Sequence, residues 1–293
     1  MAADIKLAHS IFALPFAILA AVLAGPGRDA SAAQWKEFGF TLVLVVICMV
    51  CARTWAMLFN RLVDRGFDSG NARTARRVFA AGTLSARTGW IAAGLAAAGF
   101  VGACSLFWIL NNNPWPLILS LPVLAWIAFY SLTKRFTALC HVFLGGALAA
   151  SPLAAAIAVN PQQVLSMPSI AWLAAFVLCW VAGFDIIYAL ADQDFDRSRG
   201  LSSIPAKLGT RGAILVSRGL HVAAAACLVT AWRQEGRFGW IFGCAVVLVA
   251  ALLVLEHVIV AKRGKAGLDM AFFTVNGVVS CILGVLGIVD AYV

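Results

Sequence analysis

Six of the thirteen Asp and Glu residues fall in two short segments, Asp64 with Asp68 and Asp185 with Asp192, Asp194 and Asp196. Two carboxylates one helical turn apart repel each other and add nothing to a bare helix. They make sense where a divalent cation sits between them. Clusters of carboxylates without thiols suit hard cations such as Mg2+, which prefers a few carboxylates plus substrate phosphates to an all-protein cage. The pairs 64/68 and 192/196 are separated by the same shift along the chain, and each precedes a basic stretch. Asn71-Ala-Arg-Thr-Ala-Arg-Arg77 follows the first and Ser203-Ile-Pro-Ala-Lys207 the second. The pattern reads as two pseudo-repeated half-sites, at 60–68 and 185–196, facing each other as a cradle for a metal-bridged diphosphate.

Helical geometry sharpens the expectation. At about 100° per residue, Asn60, Asp64 and Asp68 lie within about an 80° arc, with Arg53 on the same face two turns earlier. Asp185, Asp192 and Asp196 fall within about 40° of one another, and Asp194 points about 180° away. Gly66 and Gly200 are the points at which these helices are expected to end.

The elements that must position these acids are membrane spans. The chain of 293 residues is 62% hydrophobic and 12% charged, whereas soluble chains are about 45–50% apolar and about 25% charged. That composition excludes a secreted enzyme, a nucleic-acid-binding domain and a disordered chain. A spanning helix needs about 20 apolar residues. Nine such stretches occur, near 5–25, 38–60, 88–110, 115–133, 137–159, 169–191, 212–232, 238–261 and 270–292. The expected fold is an all-α integral membrane protein, one nine-helix bundle over residues 1–293.

With the N-terminus in the cytoplasm, sixteen of the 22 Lys and Arg fall on the cytoplasmic side and only Arg28, Lys36, Arg233 and Arg237 outside, with Arg53 and Arg218 inside spans. This is a positive-inside pattern, and nine spans then leave the C-terminus outside. Both acidic segments lie at cytoplasmic span ends, the second and the sixth. The net charge of +9 thus reports orientation and contact with anionic lipid headgroups, with no nucleic-acid partner expected. The N-terminus runs straight into an apolar segment, with no cleavable signal peptide evident. The eight cysteines sit mostly in apolar stretches, and Cys48-x2-Cys51 lacks the second pair or His that a zinc site needs.

Three other readings compete. The acids could merely neutralise arginines at the membrane surface, which two matched pairs in so acid-poor a chain argue against. A small secondary transporter would place its carboxylates near the bilayer midplane, whereas these cluster at one edge. A non-catalytic scaffold would show no Mg2+-dependent binding.

The motifs themselves resemble a known family. Asn60-Arg-Leu-Val-Asp64-Arg-Gly-Phe-Asp68, followed by Asn71-Ala-Arg-Thr-Ala, is similar to the first aspartate motif of the UbiA superfamily of membrane prenyltransferases. Asp185-Ile-Ile-Tyr188-Ala-Leu-Ala-Asp192-Gln-Asp-Phe-Asp196, then Ser202-Ser-Ile-Pro-Ala-Lys-Leu-Gly209, resembles the second, and Tyr130-Ser-Leu-Thr-Lys134-Arg135-Phe-Thr the segment after the fourth span. The resemblance covers essentially the whole chain. It implies Mg2+-dependent transfer of an isoprenoid chain from its diphosphate to an aromatic or other lipophilic acceptor. Asn60, Asp64 and Asp68 would bind one metal, Asp192 and Asp196 the other, and Asp185 and Tyr188 would line the same pocket. Two departures stand out, Asn60-Arg61 where many members have Asn-Asp, and Arg77-Val78 where Arg-Pro is usual. Asn60-Arg61 and the opening Ile5-Lys-Leu-Ala-His9-Ser-Ile-Phe-Ala-Leu-Pro15-Phe look most like the branch tied to menaquinone made through futalosine. That likeness implies a dihydroxynaphthoate acceptor rather than 4-hydroxybenzoate, and no protein partner.

On this reading Lys134, Arg135, Arg73, Arg77 and Lys207 supply hydrogen bonds to the departing diphosphate. Phe59, Phe67 and Trp180 are candidate walls of a water-excluding pocket. Arg53 or Arg135 would take the acceptor's carboxylate, and His9 or His141 its ring proton near neutral pH. The site would open on the cytoplasmic side of a bacterial-type inner membrane.

Overall fold

The computed structural model describes residues 12–293. His9, Lys6 and the part of the first expected span before residue 12 lie outside these described residues. Among them the chain is all-helical: α1 (Leu14–Ala24), α2 (Ala32–Val63), α3 (Arg65–Ser69), α4 (Ala86–Asn111), α5 (Trp115–Thr133), α6 (Cys140–Val159), α7 (Pro161–Ser166), α8 (Pro168–Ala189), α9 (Gln193–Ser198), α10 (Ile204–Gln234), α11 (Trp240–Arg263) and α12 (Asn276–Tyr292). Eight of the described helical segments are long and apolar enough to cross a membrane. They coincide with the second to ninth expected spans, and α1 is the described part of the first. The protein is an integral membrane protein.

Local chemistry sets the helix ends. Ser31 opens α2 with a capping box, its hydroxyl accepting from the Gln34 backbone N–H while the Gln34 side chain accepts from the Ser31 N–H. Ser85 and Ser203 cap α4 and α10 with their hydroxyls alone, accepting from the Thr88 and Ala206 backbone N–H groups. Asn112 takes the left-handed conformation (φ 52°) that stops α4.

α8 is the hub of the bundle. Ile170, Leu173, Phe176, Val177 and Trp180 are wholly buried and pack against Phe16, Leu19 and Ala20 of α1 and Ala224 of α10. On the α6 side, a Cβ on Gly145 would stand 2.4 Å from the Leu178 carbonyl. Only glycine permits so close a crossing. The outward faces carry exposed Phe40, Leu95, Leu215, Val222 and Val247, the surface that lipid covers.

The two acidic segments do not run on as straight helices. α2 stops at Val63, Asp64 leaves helical geometry (φ −94°, ψ 3°), and Asp68 belongs to the short α3. α8 gives way at Leu190–Asp192 to a 3-10 turn before α9 carries Asp194 and Asp196. The single-helix arcs expected for each motif are therefore replaced by two breaks. Each break turns the chain across the bundle end, so that carboxylates from two elements reach one space.

Candidate active site

The breaks surround a polar cavity of about 280 Å³ lined by Asn60, Asp64, Asp68, Asn71, Arg73, Arg77, Lys134, Arg135, His141, Asp185, Tyr188, Asp192 and Asp196. The structure thus brings together eleven of the thirteen candidate residues; the other two are Arg53, which lines the adjoining cavity, and Lys207. That second cavity, about 350 Å³, is mostly apolar and extends between α2, α4, α5 and α6. The two share Asn60, Arg77, Tyr130, Leu144, Asp185 and Tyr188 in their walls.

Each carboxylate of the aspartate pairs holds a base. Arg73, in the loop after the first motif, donates through Nε to Asp192 Oδ1 at 3.0 Å and through Nη2 to Oδ2. Asn71 Nδ2 adds a bond to the same carboxylate at 2.9 Å. The first motif's loop therefore grips the second motif's acid. Lys134 and Arg135, adjacent after α5, part company: Lys134 Nζ lies 2.8 Å from Asp196, and Arg135 Nη2 lies 3.1 Å from Asp64. Arg77 reaches both oxygens of Asp68, at 3.0 and 2.9 Å. Ser203, while capping α10, donates its hydroxyl to Asp196 at 2.8 Å. Asn60 donates to Asp64 at 3.2 Å.

These pairs set the ionisation of the site. Burial pushes the Asp64 carboxyl above its ordinary range, and the Arg135 hydrogen bond and charge recover only part of that. Burial opposes the charge on Lys134, but Asp196 more than compensates and holds the ammonium above its usual value. Arg73 behaves likewise against Asp192. The cavity is thus lined by charges of both signs held close together.

Several expectations need correction. Lys207 is exposed and outside the cavity, because Ser203 rather than Lys207 is the α10 residue directed at the acids. Phe59 packs tilted against Trp55 and edge-on against Trp90 and lines neither cavity. Trp180 is sealed in the core, its indole N–H bonded to Asn276 Oδ1 at 2.6 Å. Phe67 does line the polar cavity, with the Arg135 guanidinium 5.5 Å from its ring centre. Phe12, Phe100, Phe107, Phe184, Phe272, Tyr130 and Tyr188 are the aromatic walls of the apolar cavity. Asp194 points away as expected, its side chain 84% exposed and paired with Lys265.

Among the described residues Arg53 makes no ion pair with an aspartate. Its Nη2 reaches the Met57 sulfur, at 3.5 Å, and its buried Nε has no hydrogen-bond partner among these residues. Sequence reasoning did not single out Asn71 and Ser203 as site residues, although both lay in the quoted motifs. It gave no sign that His141 and Asp185 would meet, with Nδ1 2.6 Å from Oδ2. The sulfur atoms of Cys48 and Cys104 lie 3.8 Å apart, and all eight cysteines are free.

The donor set suits Mg2+ through its all-oxygen, anionic character. Among the described residues no three His, Cys, Asp or Glu side chains converge into a ready-made cage. That matches an ion completed by substrate phosphates.

Comparison with known proteins agrees with this architecture. A profile of the UbiA prenyltransferase family matches residues 13–278. A relative from Nitrosomonas europaea named 4-hydroxybenzoate octaprenyltransferase is 30% identical over 241 residues, 80% of this chain and 77% of that protein. One from Shewanella halifaxensis with the same name is 29% identical, over 80% of this chain and 78% of its own. The apo structure of a UbiA homolog from Aeropyrum pernix K1 superposes with a TM-score of 0.81 at 32% identity, covering 96% of this chain and 98% of that one. A UbiA homolog from Archaeoglobus fulgidus bound to GPP and Mg2+ shares the fold at a TM-score of 0.71 and 18% identity, over 99% and 98% of the two chains.

Proposed function

The chain belongs to the UbiA prenyltransferase family, and from that premise we propose that it transfers a polyprenyl chain from polyprenyl diphosphate to an aromatic hydroxy acid in quinone biosynthesis. The observation that carries the proposal is the joining of one acid-and-base-lined cavity to one apolar cavity through a shared wall. The first matches a metal-bound diphosphate and the second an isoprenoid tail.

Asn60, Asp64 and Asp68 from one wall and Asp192 and Asp196 from the other are the residues that would hold Mg2+, which when bound neutralises the diphosphate and makes it a better leaving group. Arg73, Arg77, Lys134 and Arg135 then exchange their carboxylates for diphosphate oxygens, giving charge-assisted hydrogen bonds that strengthen as the leaving group gains charge. Loss of diphosphate leaves an allylic cation among the aromatic walls. Tyr188, stacked on Phe272 at 4.1 Å between ring centres, sits at the junction where that cation forms. Its face offers cation–π stabilisation, and the apolar wall keeps out the water that would hydrolyse the cation.

Arg53 is the seat for the acceptor's carboxylate. A buried guanidinium without a counter-ion is costly inside a span, and an anionic ring substituent would relieve that cost. The acceptor is of the 4-hydroxybenzoate or 1,4-dihydroxy-6-naphthoate type, placing the enzyme in ubiquinone or menaquinone synthesis. The curated relatives support the former; Asn60-Arg61 and the opening segment favour the latter. The sixteen-to-four bias of basic residues supports a site on the cytoplasmic side of a bacterial-type inner membrane. We take residues 1–293 as a single membrane domain with two half-sites, at 60–68 and 185–196. The acids lie at helix ends beside bases rather than midway along broken spans, which speaks against transport.

The test is incubation of purified protein with Mg2+, octaprenyl diphosphate and each acid in turn, followed by mass spectrometry. Appearance of one prenylated acid, lost with chelator, is the expected result. Absence of product from both acids would refute the assignment of acceptor class.

A further inference from the structure

Five aspartates of the two motifs line the cavities, and four of them hold an Arg or Lys. Asp185 differs. Its partner is His141, an imidazole only 2% exposed, with Nδ1 2.6 Å from Asp185 Oδ2. The other ring nitrogen of His141 faces the Ile204 backbone N–H at 3.4 Å. Nε2 is therefore the acceptor and Nδ1–H the donor, which fixes the tautomer and aims the proton at Asp185. Asp185 Oδ1 takes no hydrogen bond among the described residues, and the side chain is 23% exposed toward the shared wall of the two cavities.

Depth along the helices adds a second observation. Asp185 on α8 lies seven residues before Asp192, which closes the 3-10 turn just past that helix, and Arg53 lies seven before Asn60 on α2. At about 1.5 Å per residue both stand about 10 Å from the diphosphate end of the site. An aromatic acid whose carboxylate meets Arg53 thus has its ring at the level of Asp185, just beyond the carbon that loses the diphosphate.

We propose that Asp185 is the base that receives the acceptor's ring proton, and that His141 is the positioning residue that orients its carboxylate. This rests on the transfer reaction proposed above. The carbon–oxygen bond of the prenyl diphosphate breaks with its electron pair leaving on diphosphate. A ring π pair then forms the new carbon–carbon bond. The ring carbon–hydrogen bond breaks last, its pair restoring aromaticity and its proton passing to Asp185 Oδ1. The polar cavity, which Asp185 also lines, gives that proton a path to water.

Ring-deuterated acceptor supplies the test, with diphosphate release and prenylated product measured separately in wild type, Asp185→Asn, His141→Gln and His141→Phe. In wild type the two acceptors should react at equal rates, because ionisation comes first. Asp185→Asn should still release diphosphate with Mg2+, the allylic cation then being captured by water as prenyl alcohol with loss of a proton, while prenylated acid falls by about 10²-fold or more. The residual transfer should be slower with deuterium. His141→Phe should move the same way, and His141→Gln, which keeps a donor, should recover part of the loss. Mg2+-dependent diphosphate release in each variant reports a folded site. Parallel loss of release and transfer in Asp185→Asn, or residual transfer insensitive to deuterium, would overturn the assignment. A wild type that never releases diphosphate would instead refute the transfer reaction itself, and this assignment with it.

Discussion

Arg73 and Asp192 lie 119 residues apart in sequence and form a two-pronged ion pair in the wall of the polar cavity. The contact joins the loop of the first acidic motif to the carboxylate of the second. Lys134 and Arg135 repeat the theme from a third element, one for each motif. A surface that only needed charge neutrality would pair each acid with a local base. Cross-pairing makes the two half-sites one unit, and its charges can be redistributed when an anionic substrate with its cation arrives. With their basic partners about a third exposed, such pairs contribute little stability, so their value here lies in that exchange.

Replacing Arg73 should therefore disturb substrate binding more than folding. We expect Arg73→Ala to raise KM for the diphosphate by about 10- to 100-fold while the protein still inserts, since one charge-assisted bidentate contact is lost. Arg73→Lys should recover only part of this, because an ammonium cannot span two oxygens. Steady-state kinetics with varied polyprenyl diphosphate provide the check.

Arg53 acts on the other substrate. Arg53→Gln should raise KM for the aromatic acid by about 10-fold or more and leave diphosphate release in the acceptor's absence unchanged. An acceptor analogue lacking the carboxylate should react equally with wild type and variant. Equal KM values for the acid in the two proteins would contradict the role.

The pH dependence follows from Asp64. Burial raises its carboxyl above the ordinary range, so without cation its contribution to stability is full below the ordinary carboxylate value and is lost as pH rises through the raised one. Mg2+ binds the ionised form. Apparent Mg2+ affinity should accordingly weaken as pH falls, beginning at a higher pH than for an ordinary carboxylate. Mg2+ titrations between about pH 5 and 8 should show this slope in wild type and lose it in Asp64→Asn.

Packing gives a prediction independent of chemistry. Gly145→Ala places a methyl 2.4 Å from the Leu178 carbonyl, so α6 must move away from α8. Such overpacking costs about 1–3 kcal/mol. Thermal unfolding in detergent should show a lowered midpoint, whereas Gly94→Ala, where a Cβ meets nothing within 4 Å, should not.

Much of the fold was legible because apolar runs of spanning length are a strong signal. The expected fourth span, 115–133, coincides with α5, and the second, third and fifth to ninth agree with the helices to within eight residues at either end. The acids stood out because charge is rare in this chain. The helix breaks at Asp64 and at Leu190–Asp192 were not legible as geometry. Glycine at 66 and 200 signalled endings, but the turn comes earlier, at the carboxylates themselves. Side-chain pairing across the bundle was also hidden, since nothing in the spacing of Asn71, His141 or Ser203 points to a partner in another helix. Lys207 and Phe59 were misplaced for the same reason: proximity to a motif in sequence does not say which face a side chain takes.

The central claim is that both motifs grip one metal-bound diphosphate. Calorimetric titration of a non-hydrolysable polyprenyl diphosphate analogue, with and without Mg2+, tests it in wild type, Asp64→Ala and Asp192→Ala. The account predicts Mg2+-dependent binding in wild type and loss of that dependence in both variants, each still folded. Undiminished Mg2+-dependent binding in either single variant would contradict it.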